Sequence, residues 1–467
     1  MSKLYIFGIG GTGSRVLRSF TMMMAAGVKI GADEIVPIII DPDKANADLT
    51  RTVALMNNYR SIRKHLSFPK ENKNTFFRKE INQTLINYTL QINDTDDKTF
   101  QNFIGLPSMS RINQAMCRML FSEKNLCSNM DIGFKGNPNI GSVVLNQIIN
   151  SDDFETFANS YEQGDKIFII SSIFGGTGAS GFPLLLKTLR TGSNFPNNDI
   201  INKSEIGAVT ILPYFKLKVD EDSEIDSSTF ISKTKSALSY YENNIGKNNQ
   251  INALYYLADD MTNTYENHEG GTNQMNDAHL IEFLAASAIV DFCNNEHPVT
   301  VHKELGIKDT TGSVSFNSFH DDLKYRLRLP LTQFILMANS FKTQSDFVTS
   351  TKLQANNKAN FVEHGLYDTQ FFSTLKKFTK DYSDWLGEMK ANKRSLDLFN
   401  LECGSTPFDV VTDVKPKKVT FTLLSNYDLF YGRLNDAIKS CSGDDNNKLL
   451  EMYSVATERL SKEKFNF

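Results

Sequence analysis

The sequence predicts an α/β protein built on a mostly parallel sheet. Short apolar runs rich in β-branched residues alternate with segments of helical periodicity as far as Phe292. The clearest runs are Leu4–Ile9, Ile35–Ile40, Ile167–Ile173 and Ile206–Leu212. Neighbouring parallel strands need a crossover connection, which is usually a helix. The alternation therefore favours a parallel sheet covered by helices.

The composition is that of an ordinary globular protein. Hydrophobic residues make up 40% of the 467 positions and charged residues 22%, which argues against extensive disorder. The net charge of −4 argues against direct nucleic-acid binding. The length allows several domains. We predict a first domain over 1–275, a central core helix over 276–296 and a second α/β or α+β domain over 297–467.

The five cysteines are scattered, odd in number and without a Cys-x-x-Cys pair, so neither a disulfide framework nor a structural zinc site is expected. The N-terminal residues lack the apolar run and small-residue cleavage site of a signal peptide. No apolar segment approaches the roughly 18 residues of a membrane-spanning helix. We expect a cytoplasmic protein that does not insert into membranes.

The most informative segment is Lys166–Leu189. Its apolar run ends at Ile173, a loop containing Gly175–Gly178 follows, and a second apolar run has helical character. Free amides at a helix N-terminus form an anion site, and glycines let a phosphate approach the backbone. The pattern predicts contact with nucleotide phosphates, and a tight strand-to-helix turn without a ligand is the alternative.

The N-terminus repeats this strand–glycine–helix pattern. Gly8, Gly10 and Gly13 have the spacing of the dinucleotide-binding fingerprint, and Asp41 follows the next apolar run, where an acidic ribose contact is expected. These residues leave an NAD-dependent oxidoreductase open as an alternative.

A third glycine loop, Gly133–Gly141, surrounds Asn137-Pro138, which is turn chemistry, and a helix is predicted to begin near Ile140. Ligands of parallel sheets bind at the carboxyl ends of the strands. We therefore expect the three glycine loops to converge there.

The segment Asn276–Phe292 is predicted to be a buried core helix, because apolar side chains cover more than one of its faces. Asn276 and Asp277 stand at its start, where they could cap it. His279 and Glu282 have an i, i+3 spacing that metal ligands can use, but no third ligand is evident, so we predict no metal site there.

The second half carries no catalytic motif of its own. Thr332–Met337 and Val419–Leu424 resemble strands, and Lys448–Lys464 resembles a helix.

The order of these loops resembles that of the tubulin/FtsZ family, and most closely its bacterial tubulin-like branch. The motifs that carry the resemblance are GIGGTGS at 8–14, Asp41-Pro42-Asp43, GNPNIG at 136–141, FGGTG at 174–178 and VTILPYF at 209–215. The resemblance covers about Leu4–Phe292. The family loop reads G-G-G-T-G-[ST]-G, and here Phe174 replaces its first glycine while Ala179 and Ser180 replace its last two positions.

The resemblance implies binding of GTP or GDP with Mg²⁺. The implied nucleotide-binding residues are Gly10, Gly11, Thr12, Gly13, Ser14, Asp43, Gly136, Asn137, Pro138, Gly175, Gly176, Thr177, Gly178, Ala179, Pro213, Asn276 and Asp277. The last two would read the guanine edge, whose N–H donors suit amide and carboxylate oxygens. Helix capping is their alternative role.

Members of this family polymerise head to tail and hydrolyse GTP when a neighbouring subunit inserts acidic residues. The resemblance thus implies a homopolymer, with adaptor proteins as further partners, and a GTPase. Its catalytic acids would be Asp321 and Asp322, in the nearest match to the acidic loop. A P-loop lysine motif is missing from the sequence. A tubulin-like scaffold that holds nucleotide without hydrolysing it is the second alternative.

Overall fold

The computed structural model describes residues 2–130, 133–134, 136–218, 229–246, 250–261, 263–265, 271–273, 275–295, 307, 312–343, 362, 364–402, 406–418 and 425–467.

A parallel sheet forms the centre of the molecule. The described strands are β1 (Lys3–Ile9), β2 (Glu34–Ile40), β3 (Glu80–Ile81), β4 (Lys166–Ser172), β5 (Glu205–Ile211), β6 (Phe215–Leu217), β7 (Ala253–Leu257) and β8 (Asn263–Tyr265). Six of them pair in the order β3-β2-β1-β4-β5-β7, all parallel, while β6 and β8 form a separate parallel pair. The predicted α/β class with a mostly parallel sheet is confirmed.

Helices connect the strands and make up most of the described residues after Asn295. The described α-helices are α1 (Gly10–Ala25), α2 (Ala47–Arg63), α3 (Phe100–Phe103), α4 (Arg111–Leu120), α5 (Glu123–Leu126), α6 (Pro138–Leu145), α7 (Asp152–Ser160), α8 (Gly176–Thr191), α9 (Asn198–Ile201), α10 (Phe230–Asn244), α11 (Leu280–Asn294), α12 (Asp321–Thr343), α13 (Gln370–Ala391), α14 (Asn426–Ile438) and α15 (Asp445–Phe465). In the described part of the chain, no helix is long and apolar enough to cross a membrane.

Both faces of the sheet are covered by helices. On one face, α1 packs against β1, and Phe292 of α11 lies 5.4 Å from Phe168 of β4 between ring centroids. On the other face, Phe157 of α7 packs edge-on against Tyr5 and Phe7 of β1 at 5.2 and 5.1 Å. The central strands are buried on both sides, which explains why they appear in the sequence as almost continuous apolar runs.

The core helix begins later than predicted. α11 starts at Leu280, and His279 is its N-cap. The His279 Nδ1 accepts from the Ile281 N–H at 3.1 Å, and the Glu282 carboxylate accepts from the His279 N–H at 3.1 Å. The capping role suggested for Asn276 and Asp277 is therefore wrong. The His279–Glu282 pair is a capping box, and α11 is buried along nearly its whole length, as expected of a core helix.

The strand predicted at Thr332–Met337 is also wrong, because this segment lies inside α12. Its neighbours Leu327, Leu331 and Phe341 continue a buried stripe at helical spacing, which a six-residue window cannot reveal. Beyond Asn295, the described residues form helices and two isolated bridges, Val314 with Leu396 and Phe399 with Val411. The strand predicted at Val419–Leu424 lies outside the described residues, so the mixed character and the bounds of the second domain stay predictions.

The C-terminal helices pack onto the first part of the chain through α13. This helix contacts α2, and Trp385 Nε1 donates to Ser19 Oγ of α1 at 3.2 Å. Arg18 of α1 binds both carboxylate oxygens of Glu388 at 2.6 and 2.9 Å. The helix that starts at the first glycine loop, α1, is therefore joined directly to the C-terminal part.

Candidate functional site

The loop between β1 and α1 is tightly wound. α1 begins at Gly10, directly after the strand, and Gly10 has a φ of +70°, which glycine adopts without strain. A methyl group on Gly13 would lie 2.4 Å from the carbonyl carbon of Gly8. The first turn of α1 can press onto β1 only because these positions lack side chains, which is the packing role of the third glycine in a dinucleotide-binding turn.

Three helices begin at this edge of the sheet without a side-chain cap. The N-cap residues of α1, α6 and α8 are Ile9, Asn137 and Gly175, and in these three described helices the cap side chain makes no hydrogen bond to the first turn. No acidic residue occupies the first turn of any of the three. Their N-termini, with the positive end of each helix dipole, can therefore receive an anion.

The three glycine loops touch one another. A methyl group on Gly176 would lie 3.0 Å from the backbone nitrogen of Asn137 and 3.1 Å from that of Gly136, and one on Gly10 would lie 3.5 Å from Thr177 Cβ. β1 and β4 are neighbours, yet α1 and α8 leave them towards opposite faces of the sheet, which defines a topological switch point. The convergence predicted for these loops is observed, while ligand binding there stays a prediction.

Two features of these loops fit a nucleotide phosphate. Glycine at position 176 lets this loop approach the α6 loop closely, because a methyl group there would lie 3.0 Å from the Asn137 nitrogen. The hydroxyl of Ser14, in the first turns of α1, is buried and has no hydrogen-bond partner among the described residues. A buried polar group without a partner is costly, so this hydroxyl suits a ligand acceptor.

The acidic loop after β2 lies beside the same edge. Asp43 is buried, with its carboxylate accepting from the Ala45 N–H at 3.1 Å and the Gly271 N–H at 2.6 Å. Asp41 is buried as well, and burial raises its pKa to about 7. Near neutral pH Asp41 is therefore partly protonated, which weakens its case as the ionised ribose contact of a dinucleotide site.

A buried ion cluster below the first glycine loop was missed by the sequence analysis. Arg15 Nε donates to Glu282 at 2.5 Å, one terminal nitrogen donates to Asp48 at 2.8 Å, and the other donates to the Tyr214 hydroxyl at 2.9 Å. The same nitrogen lies 3.3 Å from Thr12 Oγ1. The cluster joins α1, α2, α11 and the end of β5.

The charges of this cluster compensate one another. Burial alone would lower the pKa of Arg15, but Tyr214, Glu282 and Asp48 outweigh it and hold that pKa well above its usual value. The sequence did contain a signal, because Arg15 and Glu282 are charged residues in helices that are otherwise largely apolar and buried. Such charges are rarely buried without a partner.

Asn276 and Asp277 lie just before α11, beside this cluster. The Asn276 N–H donates to Asp48 at 3.3 Å, and the Asn276 carbonyl accepts from Arg51. Burial, then the nearby Glu388, raises the pKa of Asp277. The structure thus brings this pair to the α1–α2 side of the site, and recognition of a base by it stays a prediction.

The remaining predicted residues fall into two groups. Pro213 is buried at the end of β5, directly before Tyr214, and so lies at the same edge as the glycine loops. Asp321 and Asp322 are exposed in the first turn of α12, on a different element. Their catalytic role stays a prediction, which requires them to reach a second molecule.

A metal bound by protein groups alone finds little support. Within the described part of the chain, no group of three or more His, Cys, Asp or Glu side chains is arranged to hold an ion. Mg²⁺ is commonly held by one or two carboxylates together with substrate phosphates and water, so it would need the nucleotide. Asp43 lies in the loop after β2, at the same edge of the sheet as the glycine loops.

No model of a known protein family and no curated protein sequence matches the chain. Among solved structures, CetZ from Methanosaeta thermophila strain DSM 6194 aligns at 13% identity and a TM-score of 0.27, over 62% of this chain and 52% of its own. CetZ2 from Haloferax volcanii, as a GTPγS-bound protofilament, aligns at 14% identity and a TM-score of 0.25, over 55% and 49%. The chain thus spans about half the length of each.

Proposed function

We propose that this chain is a tubulin/FtsZ-like protein of the cytoplasm that binds GTP with Mg²⁺, polymerises head to tail and hydrolyses GTP between subunits. The observation that carries the proposal is the meeting of three helix N-termini without side-chain caps at the switch point of the sheet. Each such end favours a negative group, and a triphosphate distributes its charge over three of them.

In this arrangement the chain's residues would take distinct roles. Gly10–Ser14 and Gly175–Ala179 would hold the phosphates through backbone amides, with Gly136–Pro138 at the far end of the phosphate chain. Asn276 and Asp277 would accept hydrogen bonds from guanine. Mg²⁺ would offset the phosphate charge when bound.

Hydrolysis would depend on a second subunit. Asp321 and Asp322 are exposed, so a neighbouring copy could present them to the nucleotide, where one carboxylate would orient the attacking water. A head-to-tail contact uses two different surfaces, and when its rotation does not close it produces a filament. Adaptor proteins would then attach the filament to its cellular task.

We expect purified protein to bind GTP and to assemble with GTP and Mg²⁺ but not with GDP. Nucleotide is first extracted from the protein and identified, binding is measured by titration with GTP and with NAD, and assembly is followed by light scattering and negative-stain microscopy. GTP binding without assembly at tens of micromolar protein would contradict the proposed polymerisation but would leave the proposed nucleotide-binding site standing. Binding of neither nucleotide would contradict the whole proposal.

An NAD-dependent oxidoreductase is the second candidate, because two observations favour it. The strand order is that of the dinucleotide-binding fold, and Gly13 packs on Gly8 as that fold requires. Against it, Asp41 has a raised pKa, and the loops at Gly136 and Gly176 would have no role. If the protein bound NAD tightly and did not bind GTP, this result would favour the oxidoreductase over the tubulin-like protein.

We expect Asp321→Ala or Asp322→Ala to lower the rate of phosphate release by 100-fold or more, on the order of the effect of removing a catalytic acid or base. GTP affinity should stay within a factor of three, because these side chains lie on a different element. Phosphate release is measured above the assembly concentration, with Asp384→Ala, on the exposed side of α13, as the control. Wild-type rates in both variants would favour the scaffold that binds nucleotide without hydrolysing it.

A further inference from the structure

The segment that precedes α11 is held through its main chain. The Asn276 carbonyl accepts a hydrogen bond from Arg51 of α2. Two residues later, the Ala278 N–H donates to the carboxylate of Glu388 of α13 at 2.8 Å. Both bonds go to backbone groups, while the side chain of Asp277 between them is exposed. The two contacts therefore fix the segment without using the side chain that would meet a base.

These two bonds act on both rotatable backbone angles of Asp277. A peptide group is planar, so the two peptide groups on either side of a residue determine where its Cα and Cβ lie. Arg51 holds the peptide group before Asp277, and Glu388 holds the one after it. The direction in which the Asp277 side chain leaves the main chain is thus set by one side chain of α2 and one of α13.

The Glu388 carboxylate is itself held on both oxygens. Arg18 of α1 binds them at 2.6 and 2.9 Å, and Arg51 lies 3.5 Å away. Burial would raise the pKa of Glu388, but the hydrogen bonds and charge of Arg18 outweigh burial and leave that pKa below its usual value. An ionised carboxylate makes a stronger hydrogen bond to a backbone N–H than a neutral acceptor does. The bond to Ala278 therefore comes from a well-fixed, charged group.

The charge of Glu388 acts on Asp277 in the opposite direction to its hydrogen bond. Partial burial and then the nearby Glu388 raise the pKa of Asp277. Loss of the Glu388 charge alone would therefore favour the ionised form of Asp277, which is the better acceptor for N–H donors. If a variant without Glu388 recognises guanine less well, the cause is the lost position of Asp277 and not the lost charge.

We infer that Glu388 is a positioning residue that directs the Asp277 carboxylate at the N–H donors of guanine and so sets the preference of the site for this base. The inference rests on the proposed function. Guanine presents its N1–H and an exocyclic amino group side by side, and a carboxylate accepts from both only when its two oxygens face them. Base specificity at the nucleotide site thus depends on a side chain of the C-terminal part.

The test compares affinities for GDP and for IDP, whose base lacks the exocyclic amino group, by calorimetric titration. Diphosphates avoid both hydrolysis and assembly. In Glu388→Ala we expect the preference for GDP over IDP to fall about 10-fold, as for loss of a hydrogen bond to a charged group. Retained IDP binding also shows that the variant is folded.

Two further variants serve as controls. Glu388→Gln keeps an oxygen that can accept from the Ala278 N–H, so it should restore part of the preference for GDP. Asp384→Ala removes an exposed carboxylate one turn earlier on α13, which pairs with Lys380, and should leave the preference unchanged.

A double-variant cycle separates positioning from general support of the fold. If Glu388 acts through Asp277, Glu388→Ala should change the preference for GDP much less in an Asp277→Ala background than in the wild-type background. The same change in both backgrounds, or an equal loss of GDP and IDP affinity, would overturn this role of Glu388 and leave nucleotide binding standing. If the wild-type protein bound neither nucleotide, the proposed function would fail, and this inference would fail with it.

Discussion

Replacing Arg15 by methionine lowers the free energy of unfolding by about 3–5 kcal/mol, the cost of removing one partner from a buried ion pair. Asp48 and Glu282 are both almost fully buried, and each would lose its ion pair with Arg15, although Asp48 would keep the one with Arg51. Methionine fills much of the same volume, so the loss would come mainly from the broken ion pairs, above all that of Glu282. Urea unfolding followed by circular dichroism measures the change. We expect the dependence of the unfolding free energy on urea concentration to be the same in both proteins.

The matched control is Arg111→Met, an exposed arginine on α4, which should change the stability by less than about 0.5 kcal/mol. The double variant Arg15→Met/Glu282→Gln should lose less than the sum of its two single variants, because residues of one network are not additive. A loss below 1 kcal/mol for Arg15→Met would show that the carboxylates find other partners or are protonated, and the central role of Arg15 would be wrong.

The same cluster connects the helix after the first glycine loop to the C-terminal part of the chain. Asp48 is bound by Arg15 and, at 2.9 Å, by Arg51, which also lies 3.5 Å from Glu388 of α13. Glu388 in turn binds Arg18 and accepts from the Ala278 N–H just before α11. Contiguous ion pairs and hydrogen bonds therefore join α1 to α11 and α13.

The glycine loops could be predicted from the sequence because their signal is local. Close approach of backbone to backbone requires glycine, and the pattern of Gly8, Gly10 and Gly13 directly encodes the packing of α1 on β1. The parallel sheet could be predicted because strands alternate with helical segments along the chain. These are the features that the structure confirms.

The ion cluster could not be predicted in the same way, because its members come from segments far apart in the chain. Nothing in the sequence pairs Arg15 with Glu282 before the fold is known. The start of α11 was misplaced for a different reason: Asn and Asp are strongly preferred N-caps, and histidine is not. Here His279 caps the helix because Glu282 completes the capping box.

Replacing Gly13 by alanine is expected to destabilise the protein by about 3 kcal/mol, at the upper end of the usual cost of overpacking. The new methyl group would lie 2.4 Å from the carbonyl carbon and 2.7 Å from the Cα of Gly8. Both are backbone atoms of the central strand, so no side chain can rotate away to make room. α1 must move off β1, and its first amides move with it, so GTP binding should be lost along with stability.

Gly11→Ala is the matched control within the same turn, and we expect this substitution to stabilise the protein. Its methyl group would meet Asn46 Nδ2 at 3.5 Å and Arg15 at 3.6 Å, which are ordinary contacts, and alanine favours the helix by about 0.4–1 kcal/mol. Thermal and urea unfolding of the two variants measure the difference. Equal stabilities would contradict the tight packing of α1 on β1. That packing holds the first of the three helix N-termini at the switch point, so a proposed nucleotide site there depends on it directly.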